Sequence, residues 1–173
     1  CSSDLNENQE RVFYDVHDSD DDGMPGKDER IYHVYITKGG KLTGYEIGGN
    51  SVGSGKELHL DDVVGKSINE VRKLAEENSK GTFEIDKVTA KVTTDSSGNN
   101  TAEEEIALFV RDNNELGYGS YQSLTSGQIR DKYYAGYIHR SRTASSDDLL
   151  VTEVSKGNVI NFDKADGKIV EEK

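Results

Sequence analysis

The sequence predicts an α+β fold, with a mainly antiparallel sheet built from hairpins and one clear short helix. Several segments alternate apolar and polar residues and are separated by turns that contain glycine, which is typical of β-hairpins. One segment instead has the apolar spacing of a helix. The order is strands, helix, strands, and this order favours α+β over a parallel α/β sheet.

The first hairpin is predicted from 31–37 and 42–47, and residues 12–16 fit either an earlier strand or the end of a short helix. Ser67 and Glu70 form a capping box, so we expect a helix that ends near Asn78. Its apolar face comprises Ile68, Val71, Leu74 and Ala75. The later predicted strands are 83–94 and 104–110, which form a second hairpin, followed by 149–154, 159–162 and 168–170.

Length and charge limit the classes of function. The 173 residues suffice for one domain with a core, and we divide them into a tether at 1–10, an acidic segment at 11–30 and a single domain at 31–173. The net charge of −12 repels nucleic-acid backbones and anionic lipid headgroups, and it favours cationic partners or divalent metal ions. No apolar run approaches the roughly 18 residues that span a bilayer.

The single cysteine, Cys1, cannot form an internal disulfide and is followed by polar residues that offer a thiol no packing. This start resembles the mature end of bacterial surface lipoproteins, in which the cysteine sulfur carries a diacylglycerol thioether. The resemblance implies lipidation of Cys1 and a membrane-anchored protein on the extracytoplasmic face, where the polar tether holds the domain clear of the headgroups. An incidental terminal cysteine is the alternative.

An acidic run follows the first predicted strand. It places carboxylates at alternate positions before a glycine bend, and calcium needs several such hard oxygens around one point. These twelve residues resemble the EF-hand calcium loop, although Pro25 replaces the usual aliphatic residue, no second loop is evident, and a strand is predicted to follow. The alternative is a solvated acidic linker. The candidate calcium ligands are Asp18, Asp20, Asp22, the carbonyl oxygen of Met24, and Glu29.

A tyrosine-rich segment provides the candidate recognition surface, because each ring offers a flat face and a hydroxyl group to a sugar, a peptide or an anionic group. The alternative is that these rings cover a small core. The candidate ligand-binding residues are Tyr118, Tyr121, Arg130, Tyr133, Tyr134, Tyr137, His139 and Arg140.

Signals for catalysis are weak. The pattern at 49–53 matches a nucleophile elbow, but a glycine-rich loop follows it where a helix is required. Ser67, in a sequence that ends like a phosphate-binding loop, is better explained as a helix cap. The four histidines are scattered along the sequence without metal-ligand spacing.

We therefore expect an extracytoplasmic, lipid-anchored, monomeric protein with a non-catalytic binding or interaction role. Its partner would be a peptide, a sugar or a cationic protein, and no nucleic acid. The alternatives are a calcium-stabilised structural module and a hydrolase that acts on cell-envelope material.

Overall fold

A computed structural model describes residues 8–48, 56–88, 90–94, 96–97, 101–110, 116–121, 123–139 and 147–158, with the backbone alone for 90–94, 101–110, 116–121 and 123. The strands in this part of the chain are β1 (Arg11–His17), β2 (Arg30–Lys38), β3 (Lys41–Ile47), β4 (Ser79–Ile85), β5 (Ala90–Thr94), β6 (Thr101–Val110), β7 (Leu116–Tyr121), β8 (Ser123–Ile129), β9 (Lys132–His139) and β10 (Asp148–Val154). The helices are α1 (Leu60–Val63) and α2 (Ile68–Asn78), and a 3₁₀ turn spans Lys156–Asn158.

The strands form two antiparallel sheets. The larger sheet has seven strands in the order β4-β3-β2-β1-β10-β9-β8, and the smaller has three in the order β5-β6-β7. Helix α2 has 11 residues and α1 has four. The fold is therefore dominated by its sheets, and the predicted α+β class applies only in this coarse sense.

Strand β1 lies inside the larger sheet. Its residue Tyr14 pairs with Val34 of β2 on one side and with Val151 of β10 on the other. The acidic segment 11–30 thus begins in the same sheet as strands from the region 31–173. Residues 12–16 were predicted to form either a strand or the end of a short helix, and in the structure they form a strand.

The larger sheet buries apolar side chains on both faces, because successive residues of a strand point to opposite sides. We call the face that carries Tyr14, Val16 and Tyr134 the first face, and the helix residues Val71 and Ala75 are buried in its core. The opposite, second face carries a smaller core that includes Phe13, Tyr35, Leu42, Tyr137 and Leu150.

The predicted capping box is confirmed at the start of α2. The Ser67 hydroxyl oxygen accepts a hydrogen bond from the Glu70 amide at 3.2 Å, and a Glu70 carboxylate oxygen accepts one from the Ser67 amide at 2.7 Å. The helix ends at Asn78 as predicted, and β4 begins at the next residue. Ser67 is therefore a cap.

The first predicted hairpin is confirmed as β2 and β3, and β10 matches the predicted strand 149–154. The continuous strand predicted over 83–94 is wrong, because it is divided between β4 in the larger sheet and β5 in the smaller one. The buried residue Val88 lies between them, and its amide donates to the Gly40 carbonyl oxygen at 2.6 Å, so the chain turns back over the first hairpin before β5. The segments 159–162 and 168–170 are outside the described residues.

The tyrosine-rich segment was predicted as a recognition surface without an assigned secondary structure, and the structure has strands β7, β8 and β9 there. Among the described residues, none of the helices is long and apolar enough to cross a membrane.

Candidate metal centre

The acidic loop 18–29 connects β1 to β2 and packs against the larger sheet. The Thr125 hydroxyl of β8 donates a hydrogen bond to the Gly23 carbonyl oxygen. Gly127 of β8 lies so close to Pro25 that a side chain there would meet the Pro25 carbonyl oxygen at 2.8 Å. At the start of the loop, the Asp18 amide donates to the Asp147 carbonyl oxygen at 3.1 Å. These contacts are those of a folded loop and not of a solvated linker.

Asp18 is the most buried carboxylate of this loop, with 1% of its surface exposed. Its Oδ2 atom accepts a hydrogen bond from the Gly23 amide at 2.8 Å, and Gly23 has the positive φ of 73° that permits the bend. Its Oδ1 atom is buried and has no hydrogen-bond partner among the described residues. A buried acceptor left in this state costs about 1–3 kcal/mol, and a bound cation would remove that cost.

Three carboxylates converge at the loop. One oxygen atom from each of Asp18, Asp20 and Asp22 lies within 4.8 Å of the others, so this group could hold a metal ion. The Asp22 side chain also accepts a hydrogen bond from the Met24 amide at 2.7 Å, which fixes the direction of its carboxylate. The side chain of Met24 itself is exposed.

Glu29 closes the loop. It is 2% exposed, and its Oε2 atom accepts a hydrogen bond from the Ser19 amide at 2.9 Å, which brings the last loop position next to the first. Its backbone carbonyl oxygen accepts the Leu60 amide at 3.0 Å and so connects the loop to α1.

The buried carboxylates of Asp18 and Glu29 are unfavourable as anions when no positive charge neutralises them. Burial raises the pKa of Asp18 above its usual value, and the neighbouring carboxylates of Asp20 and Asp22 raise it further, against the lowering effect of the Gly23 amide. Burial also raises the pKa of Glu29, and the charges of Asp18 and Asp20 add to this rise, against the lowering effect of the hydrogen bonds from Ser19. Two buried carboxylates with raised pKa values are a favourable environment for a positive charge.

The tyrosine segment does not form one surface. Tyr134 and Tyr137 are both buried, in the cores of opposite faces of the sheet, so one ligand could not contact both side chains without disrupting the fold. Arg130 follows β8 and forms a two-pronged ion pair with Asp61, with nitrogen–oxygen distances of 2.7 and 2.9 Å. Tyr118 and Tyr121 belong to β7 of the smaller sheet. Cys1, Arg140 and the pattern at 49–53 lie outside the described residues.

Tyr133 lines an open groove of about 630 Å³ beside the start of α2. Its lining includes Tyr14, Ile68 and Thr152, together with charged residues of both signs. The ammonium group of Lys156 lies 6.0 Å from the centre of the Tyr133 ring. The residues of the groove come from distant segments of the chain, so no local sequence pattern predicted it.

A second group of titratable side chains was also missed. Asp15, His17, His33, His139 and Asp148 lie on four adjacent strands at one end of the second face. Three of the four histidines, scattered in sequence, are thus neighbours in space. Because side chains alternate between the two faces along a strand, the position of each residue in its strand could have assigned it to this face. Only the order of the strands shows that the residues are neighbours.

No family model, curated protein or solved structure matches this chain, so its function is inferred from the geometry of these sites.

Proposed function

We propose that this protein is a non-catalytic module whose β1–β2 connection is locked by a calcium ion. The observation that carries the proposal is the buried Asp18 carboxylate, which has an unpartnered Oδ1 atom beside two further carboxylates. The hydrogen bond from Gly23 to Asp18, and the return of Glu29 to the start of the loop, support the same assignment. Both features suit a twelve-residue loop that wraps around one ion.

Calcium fits these ligands better than zinc or magnesium. Calcium accepts six to eight oxygen ligands in a flexible geometry, whereas zinc favours nitrogen and sulfur and magnesium requires a near-ideal octahedron. The candidate ligands are all oxygen atoms, and the carboxylates of Asp20 and Asp22 are exposed enough to adjust to an ion. Calcium modules outside cells commonly bind with dissociation constants of about 10⁻⁴ to 10⁻³ M, in keeping with the predicted extracytoplasmic location.

The proposed role of the ion is structural. The loop contacts β8 through Gly23 and Pro25, and α1 through the carbonyl oxygen of Glu29. An ion bound at Asp18 would neutralise the repulsion among the carboxylates of Asp18, Asp20 and Asp22 and would hold these contacts in place. Calcium would then stabilise one end of the larger sheet.

The test is thermal unfolding of the whole chain after chelation, with calcium added stepwise to about 10 mM, which is one hundred times a dissociation constant of about 10⁻⁴ M. At one hundred times the dissociation constant we expect about 2.7 kcal/mol of stabilisation. For a chain of this size, that is a rise in melting temperature of about 5–10 °C.

Two variants make this test specific. Asp20→Asn removes one of the three converging carboxylates and should reduce or abolish the calcium response. Asp21→Asn is the matched control, because Asp21 is exposed, lies outside the group and has a positive φ of 57° that asparagine tolerates. Identical melting curves with and without calcium, or an equal response in Asp20→Asn, would contradict the proposal.

A second candidate function is ligand binding in the groove beside α2, which agrees with the predicted non-catalytic binding role. We expect short peptides or oligosaccharides of the cell envelope to shift the amide resonances of Ile68, Thr152 and Tyr133 in a titration followed by NMR. Tyr133→Ala should weaken such binding by about tenfold, because truncating an anchoring tyrosine commonly costs more than about 1 kcal/mol. The exposed Leu124 of β8, which does not line the groove, provides the control Leu124→Ala. Shifts that are unchanged in Tyr133→Ala would place the ligand elsewhere.

The lipid on Cys1 and the extracytoplasmic location remain predictions. The mass of the native chain tests the lipidation, because a diacylglycerol group on Cys1 adds a defined increment that an unmodified cysteine lacks.

A further inference from the structure

Three histidines and two aspartates occupy one end of the second face. His17 of β1 pairs directly with Asp148 of β10, and Asp148 pairs on its other side with His139 of β9. On the far side of β1, Asp15 pairs with His33 of β2. Directly opposed residues in an antiparallel sheet have Cβ atoms about 4.5–5.5 Å apart, so these five side chains form one continuous group.

The side chains of this group already contact one another. His33 Nδ1 lies 2.8 Å from Asp15 Oδ2, and His17 Nδ1 lies 3.4 Å from Asp148 Oδ1. These four side chains are between 21% and 34% exposed, so they remain accessible to a small ion.

We propose that this group is a second metal site, specific for a transition metal ion such as zinc, with His17, His139 and Asp148 as its ligands. Imidazole nitrogens combined with a carboxylate are typical zinc ligands, whereas the all-oxygen loop at Asp18 suits calcium. The Asp15–His33 pair lies next to the ligands and would hold the negative charge that balances the ion.

The spacing of the first two ligands fits a tetrahedral ion. Two ligands at the usual zinc distances of about 2.0–2.1 Å are separated by roughly 3.3 Å, close to the observed 3.4 Å between His17 Nδ1 and Asp148 Oδ1. Among the described residues, three donor atoms come within 4.8 Å of one another only at Asp18, Asp20 and Asp22. Zinc binding therefore requires the half-buried side chain of His139 to rotate towards Asp148, its direct neighbour in the sheet.

This inference does not depend on calcium binding, because the two sites use different residues and face opposite sides of the sheet. His17 is on the second face. The loop that begins at Asp18 packs on Gly127 of β8. Gly127 pairs directly with Tyr134 and therefore shares its face, which is the first face. A failure of one proposal leaves the other to be judged on its own measurement.

The experiment is a titration of the metal-free whole chain with zinc by calorimetry, together with the visible spectrum after cobalt substitution. We expect one zinc ion per chain at the site and, with cobalt, the intense visible absorption of tetrahedral coordination. His17→Gln and His139→Gln keep the size and polarity of the side chains, and each should weaken zinc binding by at least about tenfold. Circular dichroism of both variants establishes that they are folded.

His59→Ala is the matched control, because His59 lies before α1 and outside the group, and it should bind zinc as the wild type does. Asp20→Asn should also retain zinc binding while losing the calcium response. The proposal is overturned if the wild-type protein binds no zinc at millimolar concentration, or if both glutamine variants bind it unchanged. It is equally overturned if Asp20→Asn abolishes zinc binding, since the ion would then belong to the acidic loop.

Discussion

Replacing Gly136 by alanine should destabilise the protein by more than about 4 kcal/mol, a loss at the upper end for single substitutions. Gly136 lies in β9 and pairs with Val151 of β10 on one side and with Thr125 of β8 on the other. A Cβ atom at this position would overlap the carbonyl group of Leu150 and approach the Cα atom of Val151. These are main-chain atoms inside the sheet, so no side-chain rotation can relieve the clash, and β9 and β10 would have to separate.

Urea unfolding followed by circular dichroism measures this loss, and the melting temperature should fall by about 10 °C or more. Gly81→Ala is the matched control, because Gly81 is also a strand glycine, but a Cβ there would meet no atom within 4 Å. That variant should remain within about 0.5 kcal/mol of the wild type. A Gly136→Ala protein as stable as the control would show that β9 and β10 do not approach as closely as described.

The second large effect is the change in the stability of the folded protein with pH, and the direction of this change depends on whether calcium is bound. Without metal, burial raises the pKa of both Asp18 and Glu29 above their ordinary values of 3.8 and 4.5. The folded state then binds protons more readily than the unfolded chain does. The contribution of these two groups to stability should therefore improve as the pH falls from neutral through the raised pKa values, and level off below the ordinary ones.

With calcium present, the sign of this contribution is reversed, because the ion binds the ionised carboxylates and protons compete with it. The stability curves measured with and without calcium should therefore be furthest apart near neutral pH and converge as the pH falls. Thermal unfolding between pH 4 and about pH 7.5 provides the measurement.

Asp18→Asn separates this effect from the other carboxylates of the chain. The side-chain oxygen of the introduced asparagine can still accept the Gly23 amide, but the buried charge is removed. In the absence of metal this variant should equal or exceed the wild type at neutral pH, by up to about 3 kcal/mol, and it should no longer respond to calcium. Parallel pH curves for the two proteins, or a calcium response retained by Asp18→Asn, would contradict the role given to Asp18.

Sequence reasoning succeeded where the determining residues are close together in the chain. The capping box at Ser67 and the first hairpin depend on contacts within a few residues, and both are confirmed. The convergence of Asp18, Asp20 and Asp22 is likewise local, since one glycine bend brings them together.

Sequence reasoning failed where strand order decides the result. One neighbour of Asp148, His17, is supplied by β1 and is 131 positions away in the sequence, so no local pattern could reveal it. Tyr134 and Tyr137 were grouped by composition, although their positions in β9 place them on opposite faces. The end of β4 was missed because the contact of Val88 with Gly40 competes with the alternating pattern of the surrounding residues.

The position of β1 inside the larger sheet has a consequence for folding kinetics. Its residue His17 is 131 positions from its partner Asp148, and between them lies most of the described chain. Closing so long a segment is entropically costly, and such pairings slow the search for the native state. During synthesis, β1 emerges long before β10, so one hydrogen-bonding edge of the hairpin partners β1 and β2 stays open until the ribosome has nearly finished the sheet. Chaperones that shield this edge would protect the nascent chain from aggregation.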